Sequence, residues 1–189
     1  MLLKFLSVAE KLKCNLRHSW TSSGRQESVA EHCWRLCVFS WLIRNDFPDI
    51  DMSKVLLMCL FHDIGEAITG DVPSFLKTSQ HETVESEAVG GILKMLDPSQ
   101  AEELANLFDE MQQLKTKEAK LFKALDKLEV VLQHNEAPIE TWIPLEYELN
   151  LTYGDDNVRE FPTLESFRKE LKNMTLNLIS ENSQKNRKE

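Results

Sequence analysis

A chain of 189 residues, 42% apolar and 28% charged, has the balance expected of a soluble globular protein filling one domain with a real core. Its formal charge of −9 argues against broad nucleic-acid binding, which needs a basic face along the phosphates. A small anionic substrate would have to find its positive charge locally, on a bound metal or a few placed arginines.

Six Gly and six Pro among plentiful Leu, Glu, Lys and Ala favour long helices over short strands, and the expected fold class is all-α. Residues 2–13 put Leu2, Leu3, Leu6, Val8, Ala9 and Leu12 near one face of an amphipathic helix. Lys4 interrupts this apolar start too early for a signal peptide, and no run approaches a membrane span. Cys14, Cys33, Cys37 and Cys59 form no C-x-x-C pair, so a reducing, cytoplasmic setting is expected, with Cys33 and Cys37 in core roles.

A polar loop is expected over residues 14–27. Ser28 and Glu31 form a capping box for a helix running to about Asn45. Asp51 or Ser53 caps the next helix, whose run Val55-Leu-Leu-Met-Cys-Leu-Phe61 predicts burial on every side and an end near Gly70, with Pro73 beyond. Further helices are expected over 82–96, from Asp97-Pro98, from Thr116 through Gln133, over 138–149, and from Thr163 to about Ser180. The domain is assigned to residues 1–183, and 184–189 to a polar tail. No repeat or long linker divides the chain.

Chemistry concentrates at Phe61-His-Asp-Ile-Gly-Glu-Ala-Ile-Thr-Gly-Asp71, where charge begins as the apolar run ends. A buried ionised group costs several kcal/mol unless paired or bound to metal, so His62-Asp63 asks for a partner. Glu66, four residues after His62 and three after Asp63, shares their face one turn along. Further ligand candidates are His32 and Asp126, each beside an apolar stripe. Taken singly, His62 also fits a core histidine, Asp63 a helix-terminal carboxylate and Asp126 a solvated helix aspartate. Imidazole with carboxylate suits manganese, cobalt, nickel, iron or zinc, with coordination left open for water.

His32, His62-Asp63 and Asp126 together resemble the H…HD…D signature of HD-domain metal-dependent phosphohydrolases, over most of the chain. The longer pattern, Glu27-Ser-Val-Ala-Glu-His32 with His62-Asp-x-x-Glu-x-x-Thr-Gly-Asp71-x-Pro73, is similar to the 5′-deoxynucleotidase branch. The resemblance implies a single HD-domain helical bundle, commonly dimeric, that hydrolyses deoxyribonucleoside 5′-monophosphates. It implies one divalent ion per chain, manganese or cobalt before zinc, nickel, iron or magnesium, held by His32, His62, Asp63 and Asp126. It makes Glu66 and Asp71 catalytic and brings Arg17 and Trp20 to the nucleotide, although here two residues separate that pair. Lys77 and Arg25 are lesser phosphate candidates.

Surface roles are expected for His18, His81 and His134, and packing roles for Trp34, Trp41 and Trp142. Three alternatives stand beside the nucleotidase: an HD-type phosphodiesterase, a guanosine polyphosphate hydrolase, and a non-catalytic interaction protein stabilised by its metal. Only His81 lies between the HD pair and Asp126, which argues for one metal, and the presence of Glu66 and Asp71 argues for catalysis.

Overall fold

The computed structural model describes residues 2–187. Its elements, in chain order, are α1 (Leu2–Lys11), β1 (Leu16–Trp20), β2 (Gln26–Ser28), α2 (Val29–Ile43), α3 (Met52–Phe61), α4 (Glu66–Thr69) and α5 (Ser79–Leu93). They continue with α6 (Pro98–Gln113), α7 (Lys117–Glu136), α8 (Glu146–Thr152), α9 (Asp155–Val158) and α10 (Pro162–Asn186). The fold is all-α with one small hairpin. Among the described residues, no helix is long and apolar enough to cross a membrane.

Helix starts follow the caps. The Ser28 hydroxyl accepts from the Glu31 amide, and the Glu31 carboxylate accepts from the Ser28 amide. Asp51, Asp97 and Thr116 cap α3, α6 and α7 with their side chains. Gly70, at φ 76, ends α4 in a conformation that L side chains rarely adopt.

The expected polar loop over 14–27 is instead the β1–β2 hairpin, antiparallel, with Leu16 opposite Ser28, Trp20 opposite Gln26 and an irregular register between them. Its strands are short and polar, so only cross-strand pairing reveals them. The last helix extends to Asn186, into the segment read as a tail, while Lys188 and Glu189 lie outside the described residues.

Two apolar clusters meet in the molecule. The larger surrounds α7, whose Leu121, Leu125 and Leu128 are fully buried against α2, α3, α6 and α10. Burying such side chains contributes about 1.5–3 kcal/mol each. The smaller joins α1, α2, α4 and α5 through Val8, Leu12, Val29, Cys33, Ile64 and Ile92. Both α2 and the α3–α4 segment cross from one cluster to the other: Cys33 lies in the smaller and Leu36 in the larger, Cys59 in the larger and Ile64 in the smaller. His32 and His62 therefore stand where the clusters abut.

The apolar run of α3 is not buried on every side. Val55, Met58 and Cys59 are fully enclosed, but Leu57 and Leu60 face outward, away from the side on which α3 packs against α2, α6 and α7. Trp34 and Trp41, expected to pack, are exposed for the same reason: α2 turns Val29, His32, Cys33 and Leu36 inward and these indoles outward. Trp142 is buried as expected, and Cys33 and Cys59 are buried and unbridged.

Candidate metal centre

The segment between α3 and α4 is wound more tightly than an α-helix. Ile64, Glu66, Ala67 and Ile68 donate their amides three residues back, to Phe61, Asp63, Ile64 and Gly65. In such a turn, residues three apart eclipse each other, so Asp63 and Glu66 stack on one side. Gly65 permits the arrangement: a Cβ there would stand 2.9 Å from Glu85 Cγ and 3.2 Å from the Glu85 carbonyl, so only glycine lets α5 approach this closely.

The tight turn, α2 and α7 bring the four nominated ligands together. His32 Nε2 is 3.3 Å from Asp126 Oδ1 and 4.0 Å from Asp63 Oδ2. His62 Nε2 is 3.1 Å from Asp63 Oδ2 and 3.9 Å from Asp126 Oδ1. Both Nε2 atoms are buried without a hydrogen-bond partner. Donors bound at about 2.0–2.2 Å to one ion stand roughly 3 Å apart, so the two shorter pairs already match a divalent cation and the two longer ones would close by about 1 Å around it. His32, His62 and Asp63 alone offer ligand atoms within 4.8 Å of one another. Asp126 joins them by facing both imidazoles, while its Oδ2 is 2.8 Å from Lys123 Nζ.

Two further carboxylates adjoin this group. Glu66 is buried, its Oε2 has no partner, and its backbone carbonyl accepts from Asn15. Burial, followed by the charges of Asp63 and Asp71, pushes its carboxyl up to about 9. Burial also raises Asp71, which the Arg17 guanidinium and the His18 backbone amide partly offset. Arg17 spans the site, with Nη1 3.5 Å from Asp63 Oδ2 and 3.9 Å from Asp71 Oδ1, and Nε 3.3 Å from Glu27 Oε2.

The other nominated residues divide. Trp20 lies at the end of β1, its carbonyl accepting from Gln133 at 2.6 Å. Lys77 is paired with Glu85, whose carboxylate lies within 4.8 Å of oxygens of Asp63 and Glu66. Arg25 is spent on Glu31 at the surface. His81 caps α5 through Thr78. His134, expected at the surface, is buried: α7 remains enclosed to its last turn, and His134 Nδ1 lies 2.9 Å from Asn150 Oδ1. His18 is half-buried beside Glu146.

Residue-level reading missed Glu129, Glu27 and Glu85. Glu129 carried a signal: it follows Leu125 by one helical turn and thus falls on the apolar stripe of α7, where a carboxylate has no ordinary reason to be. A cleft of about 990 Å³ lined by Leu6, Leu57, Phe61, Met95 and Leu104 contains none of the nominated residues. The chemistry therefore gathers away from this apolar cleft.

Residues 9–165 match the family model of the HD domain. A 5′-deoxynucleotidase of Dictyostelium discoideum is 33% identical over 144 residues, which cover 71% of this chain and 76% of that protein. A 5′-deoxynucleotidase of Schizosaccharomyces pombe is 35% identical over 140 residues, 70% of each. The solved structure of a protein described as a predicted metal-dependent phosphohydrolase, from Magnetospirillum magnetotacticum, shares the fold with a TM-score of 0.78 at 24% identity, covering 94% of this chain and 92% of that one.

Proposed function

Since the chain belongs to the HD-domain family, we propose that it is a metal-dependent phosphomonoesterase that hydrolyses deoxyribonucleoside 5′-monophosphates to deoxynucleoside and phosphate. One observation carries the metal-dependent part of this reading: the buried Nε2 atoms of His32 and His62 each face both Asp63 and Asp126, at 3.1–4.0 Å. Imidazoles and carboxylates gathered this closely out of water suit a shared divalent cation. The substrate class is supported by the relatives that bear the 5′-deoxynucleotidase name and by the Glu27–His32 and His62–Pro73 patterns.

In this proposal His32, His62, Asp63 and Asp126 hold one divalent cation. When bound, that ion supplies Lewis-acid polarisation of a phosphate oxygen and acidifies water. Glu66, buried with a free Oε2, would be ionised by the charge of the bound cation beside it, and would then orient the attacking water and take its proton. Arg17 is held between Asp63 and Asp71 with its guanidinium turned into the site, and it binds the phosphate dianion there. Asp71, fixed by Arg17 and the His18 amide, places the leaving 5′-oxygen. Trp20, at the end of the β1 strand that carries Arg17, is the aromatic assigned to stack on the sugar or base.

The experiment is phosphate release from a panel of deoxyribo- and ribonucleoside 5′-monophosphates by metal-stripped protein. Manganese, cobalt, zinc or magnesium is added singly, with Glu66→Ala in parallel and cyclic nucleotides and a guanosine polyphosphate on the same plate. Metal-dependent release from deoxymonophosphates, lost in Glu66→Ala, is expected. Turnover of another ester instead would move the chain to a different HD activity, and silence throughout would leave a metal-stabilised interaction protein.

A further inference from the structure

The two imidazoles of the centre are backed by different groups. On the far side of His32, Nδ1 lies 2.6 Å from Oε2 of Glu129. On the far side of His62, Nδ1 lies 3.0 Å from the neutral carbonyl of Cys59. Glu129 is 1% exposed and its other oxygen has no hydrogen-bond partner; Arg35 Nε is 3.7 Å from it. Taking a carboxylate this far out of water is costly, and a leucine or methionine would fill the same place on the leucine-lined face of α7 at no such cost. The helix needs no carboxylate here, since Glu129 lies mid-helix, away from either cap.

Resting on the metal-centre reading above, we propose that Glu129 is the positioning residue of this centre. It accepts the Nδ1 hydrogen of His32 and so fixes the tautomer whose lone pair sits on Nε2, the nitrogen that faces Asp63 and Asp126. Its negative charge also makes that nitrogen more basic, so His32 is the stronger imidazole donor. The Cys59 carbonyl fixes His62 in the same sense without adding charge. Glu129 reaches the ion only through His32.

The test measures metal binding and uses no nucleotide. Metal-stripped protein is titrated with cobalt(II) alone and followed by calorimetry and visible absorption. E129Q keeps the volume and an acceptor oxygen but removes the charge, while E129D keeps the charge on a shorter arm. E27Q serves as comparator, since Glu27 is a buried carboxylate facing Arg17 rather than an imidazole. Cobalt affinity is expected to fall roughly 10–100-fold in E129Q with a changed absorption spectrum, and to recover in part in E129D. E27Q is expected to show the smaller loss and the wild-type spectrum.

Wild-type affinity and spectrum in E129Q would overturn the proposal, as would equal losses and equal spectra in E129Q and E27Q. Failure of the wild-type protein to bind cobalt would overturn the metal reading itself. Should E129Q fail to fold, the imidazole 15N shifts of the zinc-loaded wild-type protein decide the matter. A protonated Nδ1 and a coordinated Nε2 on His32 are expected, and the opposite pattern overturns the assignment.

Discussion

Two groups of buried polar side chains adjoin helix α7, and they are completed differently. Toward its C-terminal end, His134 Nδ1 lies 2.9 Å from Asn150 Oδ1 and the His134 carbonyl accepts from Trp142. Asn135 donates to the Leu171 carbonyl, and Thr175 donates to Asn135. Glu146 Oε1 and Asn150 Nδ2 lack hydrogen-bond partners there, but the former still has His18 Nε2 at 3.4 Å and His134 Nε2 at 3.5 Å. One or two turns earlier, at the candidate metal centre, Glu66 Oε2 and both imidazole Nε2 atoms also lack hydrogen-bond partners, and the imidazoles face carboxylates at 3.1 and 3.3 Å. The first group is tied mostly by side-chain and backbone hydrogen bonds. The second instead gathers two imidazoles and two carboxylates on one point, the donor set of a candidate cation site.

The sharpest way to break this contrast is Glu66→Gln. Phosphate release is expected to fall about 10²–10⁴-fold, the usual worth of a general base. The same substitution is expected to stabilise the metal-free protein. Because the folded-state carboxyl sits at about 9 against an ordinary 4.5, the pH-dependent cost of its ionisation is absent below pH 4.5 and grows as pH rises toward 9. Urea unfolding of stripped wild-type and Glu66→Gln protein should therefore diverge in favour of the variant as pH is raised. A variant less stable at alkaline pH would place Glu66 with the structural group.

Metal removal comes next. Divalent ion at a hundred times its dissociation constant is expected to stabilise the wild-type fold by about 2.7 kcal/mol, read as a rise in unfolding temperature. His62→Ala should lose that response. An equal thermal shift in both proteins would mean that the ion binds elsewhere.

Thr175→Val tests the other side of the contrast. It orphans a buried Asn135 oxygen and is expected to cost about 1–3 kcal/mol in denaturant unfolding, with kcat/KM per folded molecule unchanged. A fall in kcat/KM without loss of stability would show the two groups to be coupled.

Glu31→Gln gives the smallest effect, because Glu31 is partly exposed and belongs to neither group. Its hydrogen bond to Arg25, which outweighs the cost of burial, and the Ser28 contacts hold its carboxyl down to about 2 from an ordinary 4.5. That contribution is present above pH 4.5 and is lost as pH falls toward 2. Solvent screening leaves it at a few tenths of a kcal/mol. Wild-type and variant stabilities should therefore converge as the solution is acidified, and a gap that persists would assign the effect to packing.

Much of the fold was legible. The caps at Ser28, Asp51, Asp97 and Thr116 marked four helix starts because a side-chain oxygen that satisfies the first free amides is a local device, written within three or four residues. The β1–β2 hairpin was not legible, since its pairing joins residues six to twelve apart whose side chains show no strand alternation. In the candidate centre, His62, Asp63 and Glu66 announced themselves by following an apolar run. Placing His32 and Asp126 beside them required the family resemblance, because nothing local marks which helices will meet. Trp34 and Trp41 were assigned the wrong side because α2 is apolar almost all round, so its pattern names no inward face.

By itself the sequence determined the helical class, the four capped helix starts and the residue types of the candidate centre, because propensity, capping and residue type act over a few neighbouring residues; it misplaced the helix expected over 138–149, where α8 starts only at Glu146. Only the tertiary structure decided the tight winding that stacks Glu66 on Asp63, the convergence of α2 and α7 on the same imidazoles, and the placement of Glu129 behind His32. Those depend on which faces pack together, a balance of burial summed over two apolar clusters and set by no single stretch of chain.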